Sequence, residues 1–241
     1  MERSLQDQLV CITGASRGLG AALARAFDAR GVRLVLAART AKGLEEVASG
    51  CRDARTQVCD VRDPAQVDAL VAFAIQGGQR LDVMVNNAGL AVYGPVLAIA
   101  PDQVDAMLDT NVKGVIYGSQ AALRAMKPHE RGLIVNVSSI AGKLHLPNEA
   151  VYNASKWAVN GFTGTLRLEA ERFGVKVCCA CPGGIDTPFW HGMSHYPFPT
   201  DRIVPKRDFM APEEVAESIV QVALASERYV VPEIVMLPMI R

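Results

Sequence analysis

The sequence predicts a single α/β domain: a doubly wound, open and mainly parallel sheet with helices on both faces. Three observations predict it. Short apolar runs alternate with helix-forming stretches along the whole chain, the pattern of strand–crossover–strand units. The first apolar run enters a glycine turn that opens straight into an alanine-rich helix. No internal repeat, low-complexity run or linker interrupts the 241 residues, so residues 1–241 read as one domain.

Composition sets the outer limits. A hydrophobic share of 50% with 21% charged residues is ordinary for a globular protein with a sizeable core. Lys plus Arg number 25 and Asp plus Glu number 25, so the formal charge is zero and no basic footprint for nucleic acid is expected. The first apolar run is too short for a secretory leader, and no run reaches the ~18 apolar residues of a membrane span. The expectation is a soluble, cytoplasmic protein with no membrane partner. The six cysteines suggest no disulfide framework. Cys178, Cys179 and Cys181 alternate across a strand and cannot all face one metal; they read as small buried hydrophobes.

The first strand is Leu9–Thr13, a short apolar run. It enters Gly14-Ala-Ser-Arg-Gly18-Leu-Gly20 and then a helix over Ala21–Arg30. Glycines let backbone approach a pyrophosphate, and the free N–H groups at a helix start point toward it. The spacing G-x-x-x-G-x-G differs from the commoner G-x-G-x-x-G. Val32–Ala38 is the second strand. Its end, Ala37-Ala38-Arg39-Thr40, lacks the carboxylate that would bind the ribose 2′-hydroxyl of NAD. Arg39 and the nearby Arg17 suit a 2′-phosphate instead, which favours NADP(H) over NAD(H). The plainer reading of Arg39 is a solvated charge at a strand end.

A short helix over Ala41–Ser49 precedes a third strand, Thr56–Cys59, with Asp60-Val61 at its end. Pro64 sits at the first position of a helix running to about Ile75. Leu81–Val85 is the fourth strand. It ends in Asn86-Asn87-Ala88-Gly89, small and amide residues that suit either a ligand or a plain turn. Pro101 to about Met126 reads as one long helix, with Asn111, Gly114 and Gly118 as poor mid-helix residues. Such a local conflict marks a functional or strained site. Leu133–Val137 is the fifth strand and delivers Ser138 and Ser139. The helix over Ala150–Arg172 carries Gly161 and Gly164, which could admit a second helix closely. Val175–Ala180 is the sixth strand, ending in Cys181-Pro182-Gly183-Gly184-Ile185-Asp186-Thr187. Residues 186–210 are proline-rich and irregular, as a lid over the site would be. His191 and His195 have ligand-like spacing but no evident third ligand, so no metal is assigned. Pro212–Ala225 is a helix with Glu213 and Glu214 at its positive end, and Glu233–Leu237 is the last strand.

The chemistry centres on Ser139 to Lys156. Tyr152 and Lys156 are one helical turn apart and share a face. An ammonium beside a phenol stabilises the phenolate, which makes the phenol a better proton donor near neutral pH. Ser139 offers a hydroxyl to the same region. Tyr-x-x-x-Lys alone is a common pattern on ordinary amphipathic helices.

Taken together and in order, TGASRGLG, NNAG, Asn111, Ser139, YNASK and CPGGIDT resemble the classical short-chain dehydrogenase/reductase (SDR) family over nearly the whole chain. The resemblance implies a seven-stranded Rossmann sheet and a catalytic set of Asn111, Ser139, Tyr152 and Lys156. It implies that Gly14, Ser16, Arg17, Leu19 and Gly20 cradle the phosphates and that Arg39 takes the 2′-phosphate. Asp60 and Val61 would meet the adenine, with Asn87, Ala88 and Gly89 on the adenosine ribose side. Pro182, Gly183, Ile185 and Thr187 would lie along the nicotinamide, and Tyr152 and Lys156 would also touch the cofactor. The implied reaction moves a hydride between NADP(H) and a carbonyl or secondary alcohol, of the ketone, 3-oxoacyl or 3-hydroxy acid type. In it Tyr152 supplies the proton, Ser139 hydrogen-bonds the oxygen, Lys156 lowers the Tyr152 pKa, and Asn111 holds a water linked to Lys156. The substrate wall falls to Ser139, Ile140, Leu144, His145, Leu146, Tyr152, Phe189, Trp190 and Met193. A homodimer or homotetramer through the two long helices is implied as well. The competing expectation is a catalytically silent NADP-binding sensor or scaffold, which the intact tetrad argues against.

Overall fold

The computed structural model describes residues 4–193 and 195–239; Ser194, inside the expected lid, lies outside the described residues. Seven strands form one sheet in the order β3-β2-β1-β4-β5-β6-β7. They are β1 (Leu9–Thr13), β2 (Arg33–Ala38), β3 (Ala54–Val58), β4 (Val83–Asn86), β5 (Gly132–Val137), β6 (Val175–Pro182) and β7 (Glu233–Met236). Each ladder is parallel. The strand order reverses between β1 and β4, which opens a crevice at their carboxyl ends.

Alternation along each strand builds the two faces. Val10 and Ile12 enter a core with Phe27 and Ile219, which come from α1 (Gly18–Asp28) and α8 (Pro212–Leu224). Leu9 and Cys11 enter the other core. There they meet Leu70 of α3 (Pro64–Ala74), Ala122 of α5 (Gly114–Met126) and Leu166 of α6 (Ala150–Glu171). The remaining α-helices are α2 (Ala41–Ser49), α4 (Pro101–Leu108) and α7 (Pro205–Asp208). Among the described residues no helix is long and apolar enough to cross a membrane.

The long helix expected over Pro101–Met126 is three pieces. Between α4 and α5 the chain widens into a π turn, Asp109–Lys113, with Asn111 at its centre. The glycines that follow are there for contact. A methyl on Gly118 would come 2.0 Å from Asn86 Oδ1, and one on Gly114 would come 2.7 Å from Val61. At Gly161 and Gly164, by contrast, added methyls would meet nothing within 4 Å in this chain. Several element ends move by a few residues; α1 begins at Gly18, before the expected Ala21, because the glycine turn itself winds into the first helical turn. The expected lid is less irregular than its prolines suggest. It holds a 3-10 turn at Pro188–Trp190 and α7, and an Ile185–Met210 bridge ties its two ends.

Candidate active site

The carboxyl ends of the strands surround a cleft of about 910 Å³ that runs from the Gly14 turn to the lid. At its floor the chain is bare backbone. Gly14 and Gly18 have φ of 65° and 55°, in the left-handed region that glycine tolerates. A methyl on Gly20 would lie 2.2 Å from the Gly14 carbonyl oxygen, so only glycine fits. The NNAG segment fixes this turn from the side. Thr13 Oγ1 accepts from the Asn87 and Ala88 backbone N–H groups, each at 3.1 Å. Asn87 Nδ2 donates to the carbonyl oxygens of Thr13 at 2.9 Å and Gly14 at 3.2 Å. The amide of Asn87 thus holds the turn together. The cradle has the shape and the free backbone that a dinucleotide pyrophosphate requires.

At the far end, Arg17 and Arg39 are exposed and both line the cleft. The nearby acid, Asp60, is paired with Arg62 at 2.5 Å, and these hydrogen bonds hold its carboxyl below the usual range. That charge is answered, so the two guanidinium groups keep their attraction for an anion. Every residue assigned above to the cofactor lines this one cleft.

At the other end stands Tyr152, buried on α6. Burial pushes its phenol well above the ordinary value; hydrogen bonds from Ser139 and Tyr93 pull it down, and the Glu149 charge raises it. Lys156 is buried as well, and its ammonium donates to the Val137 carbonyl oxygen at 3.1 Å. Burial lowers Lys156 to about 8. Its Nζ stands 5.6 Å from the Tyr152 ring centroid. The expected lowering of the Tyr152 phenol is therefore not the net result here: burial outweighs every group that would ionise it.

The two serines after β5 have different partners. Ser138 donates to the Lys156 carbonyl oxygen at 3.2 Å and is buried. Ser139 caps the turn Ile140–Gly142 by accepting from Ala141 N, which leaves its hydroxyl hydrogen for Tyr152. Asn111 is wholly buried behind the cleft. Its Oδ1 accepts from Leu90 N at 2.9 Å, and its Nδ2 donates to Leu90 O at 2.8 Å and Ser155 Oγ at 3.1 Å. Both Nδ2 hydrogens and one Oδ1 lone pair are engaged in these bonds. Asn111 clamps the Gly89–Leu90 backbone against α6.

The substrate end is aromatic. Tyr93 stacks on Trp190 with ring centroids 5.8 Å apart and meets Tyr152 edge-on at 5.4 Å. Trp190 donates its indole N–H to the Ile185 carbonyl oxygen at 2.7 Å and packs on Phe198 and Phe209. Leu144, Leu146 and Phe189 line the cleft. His145 does not: its ring turns outward and stacks on Trp157 at 5.4 Å. Met193 packs behind the wall with the Tyr93–Tyr152 cluster.

Two residues that sequence reasoning passed over face this space. Tyr93 had no motif around it to mark it. Glu149 is 4% exposed, lines the cleft, and has its Oε2 unpartnered among the described residues. Burial lifts its carboxyl to about 7.

Comparison with known proteins agrees with this geometry. The family model described as short chain dehydrogenase matches residues 8–196. An uncharacterized oxidoreductase of Staphylococcus aureus (strain USA300) is 32% identical over 236 residues, covering 97% of this chain and 98% of that protein. A Streptomyces coelicolor protein, provisionally named a ketoacyl reductase, is 34% identical over 88% of each chain. A metagenomic short-chain oxidoreductase solved in complex with NADP superposes with a TM-score of 0.82 at 29% identity, over 99% of this chain and 100% of that one. An alcohol dehydrogenase from Thermococcus sibiricus, complexed with 5-hydroxy-NADP, gives 0.85 at 26% identity over 97% of each chain.

Proposed function

The chain belongs to the short-chain dehydrogenase family of oxidoreductases, and from that premise we propose that it uses NADP(H) to interconvert a carbonyl compound and its secondary alcohol. The observation that carries this reading is the Tyr152 hydroxyl, met by Ser139 and Tyr93 inside the same cleft that begins at the Gly14 turn. The cofactor supplies or takes the hydride when bound. Gly14, Ser16, Leu19 and Gly20 hold its phosphates, and Arg17 and Arg39 favour the extra 2′-phosphate by fork-shaped guanidinium contacts.

The chain's own residues handle the oxygen. Tyr152 donates its proton to the carbonyl oxygen, and Ser139 hydrogen-bonds that oxygen as negative charge builds there. The buried phenol gives up a proton reluctantly, and a charged Lys156 would favour its phenolate form. Asn111 holds the Gly89–Leu90 backbone and Ser155 in register, which keeps Lys156 aimed along α6. Asn111 would also hold the water that links Lys156 to solvent for proton resupply. The wall of Tyr93, Phe189, Trp190 and Leu144 selects an apolar, medium-sized ketone or 3-oxoacyl compound.

The test follows NADPH absorbance with a panel of ketones, aldehydes and 3-oxoacyl thioesters. Tyr152→Phe should bind NADPH as the parent does and lose about 10²- to 10⁴-fold in turnover. Undiminished turnover in that variant would overturn the reading. So would a parent chain that binds NADPH yet turns over no carbonyl compound, which is the behaviour of a sensor.

A further inference from the structure

Behind the catalytic lysine, on the sheet face that α6 covers, four ligand atoms converge that the proposed reaction does not use. Strand alternation sends Cys178 into the opposite core and places Cys179 and Cys181 on one face. Their sulfurs lie 3.7 Å apart. Asn160 Oδ1, one helical turn beyond Lys156, accepts from Cys179 Sγ at 3.3 Å and lies 3.8 Å from Cys181 Sγ. Glu233 of β7 pairs in register with Cys179, and its carboxylate and both sulfurs fall within 4.8 Å of one another.

We propose that Cys179, Cys181, Asn160 and Glu233 form a binding site for one soft divalent cation of the zinc class. The spacing argues for it. A tetrahedral ion with metal–sulfur bonds of ~2.3 Å holds two sulfurs ~3.8 Å apart, and metal–oxygen bonds of ~2.0–2.2 Å set sulfur–oxygen edges near ~3.5 Å. The sulfur–sulfur and sulfur–amide edges are already close to these values, and the Glu233 carboxylate, within 4.8 Å of both sulfurs, moves inward to complete the set. Packing as small hydrophobes does not account for the neighbours, since each sulfur faces an amide oxygen and a carboxylate rather than an apolar wall.

The charges balance. Two thiolates and one carboxylate against a dication leave one negative charge, and Lys143 supplies the positive one from 2.5 Å beyond Glu233. Binding releases the two thiol protons to solvent, one from each cysteine, and forms two metal–sulfur bonds with no change of oxidation state. The Lys143 and Glu233 side chains are 36% and 33% exposed, so the ion enters where their pair swings open. Once seated it would clamp β6, β7 and α6 together, immediately beneath the Pro182–Gly183 wall of the cleft.

The test titrates the reduced, chelator-treated full chain with Cd²⁺ and follows the ultraviolet thiolate-to-metal charge-transfer band. The band should saturate at one ion per chain. It should vanish in the Cys179→Ser/Cys181→Ser variant and survive in Cys51→Ser, whose thiol is the partly exposed one. Glu233→Gln should weaken binding by at least about tenfold. Zn²⁺ should raise the melting temperature of the parent chain. If the double variant does not fold, alkylation of the parent followed by mass spectrometry replaces it. Cd²⁺ should then protect Cys179 and Cys181 and no other cysteine. No saturable band, a band that survives in the double variant, or protection of other cysteines would each overturn the site.

Discussion

Glu149 carries the least expected charge in the protein. It lies at the N-terminal end of α6, where the helix dipole favours a carboxylate, yet burial beside Tyr93 and Tyr152 prevails and lifts it to about 7. An unfolded glutamate titrates near ~4.3, so between these values the native state binds more protons than the unfolded one. Stability contributed by the protonated form is therefore lost as pH rises through about 7. Glu149→Gln should stabilise the protein by of order 1 kcal/mol at about pH 8 and change little near about pH 4, read from urea midpoints. An equal shift at both pH values would refute the burial argument. The neighbouring Tyr93 tests the other half of the cluster. Tyr93→Phe keeps the ring that stacks on Trp190 and removes one hydroxyl that eases Tyr152 ionisation. Single-turnover reduction should slow by about tenfold, the cost of roughly one hydrogen bond to a charged group, with no fall in melting temperature beyond a few degrees. Neither residue was legible in the sequence. Each owes its position to the fold bringing β4's outgoing loop against the start of α6, a contact with no local signature.

At the scale of elements the sequence was legible wherever one residue type does one job. The glycines of the Gly14 turn could be read because strand, turn and helix follow one another directly. The break at Asn111 was legible only as a conflict. A poor helix former stood mid-helix, and the π turn is how the backbone resolves it, with the amide capturing Leu90. The remaining helix glycines were ambiguous in principle. Gly118 and Gly161 look alike in sequence, yet the first abuts Asn86 and the second abuts nothing in the chain. Gly118→Ala must push α5 away from β4 and disturb the buried network of Asn86, Ser119 and Asn136. It should cost about 1–3 kcal/mol in denaturant unfolding. A neutral or stabilising result would mean that α5 can shift without consequence. His145 was misplaced for a related reason: between Leu144 and Leu146, both lining the cleft, it faces the other way, and apolar neighbours in sequence gave no hint of that.

For the whole molecule, the outward face of α6 is the feature a single chain does not explain. Trp157 is 45% exposed and Leu168 62%, and Gly161 and Gly164 lie between them with open space above. Large apolar side chains exposed along a strip with small residues suit close approach by a second helix, and a two-fold axis would let the same strip serve both copies. We therefore expect a homo-oligomer that buries α6 against its counterpart. Tyr152 and Lys156 lie on the inward face of this helix, so self-association would brace the segment that positions them. Leu168→Glu puts a carboxylate into that apolar contact without touching the cleft. Light scattering at micromolar protein should show the parent as a dimer or tetramer and the variant as a smaller species. Turnover per chain should fall along with the mass as α6 loses its brace. A parent that runs as a monomer, or a variant of unchanged mass, would move the interface elsewhere and leave the glycines of α6 without a packing role.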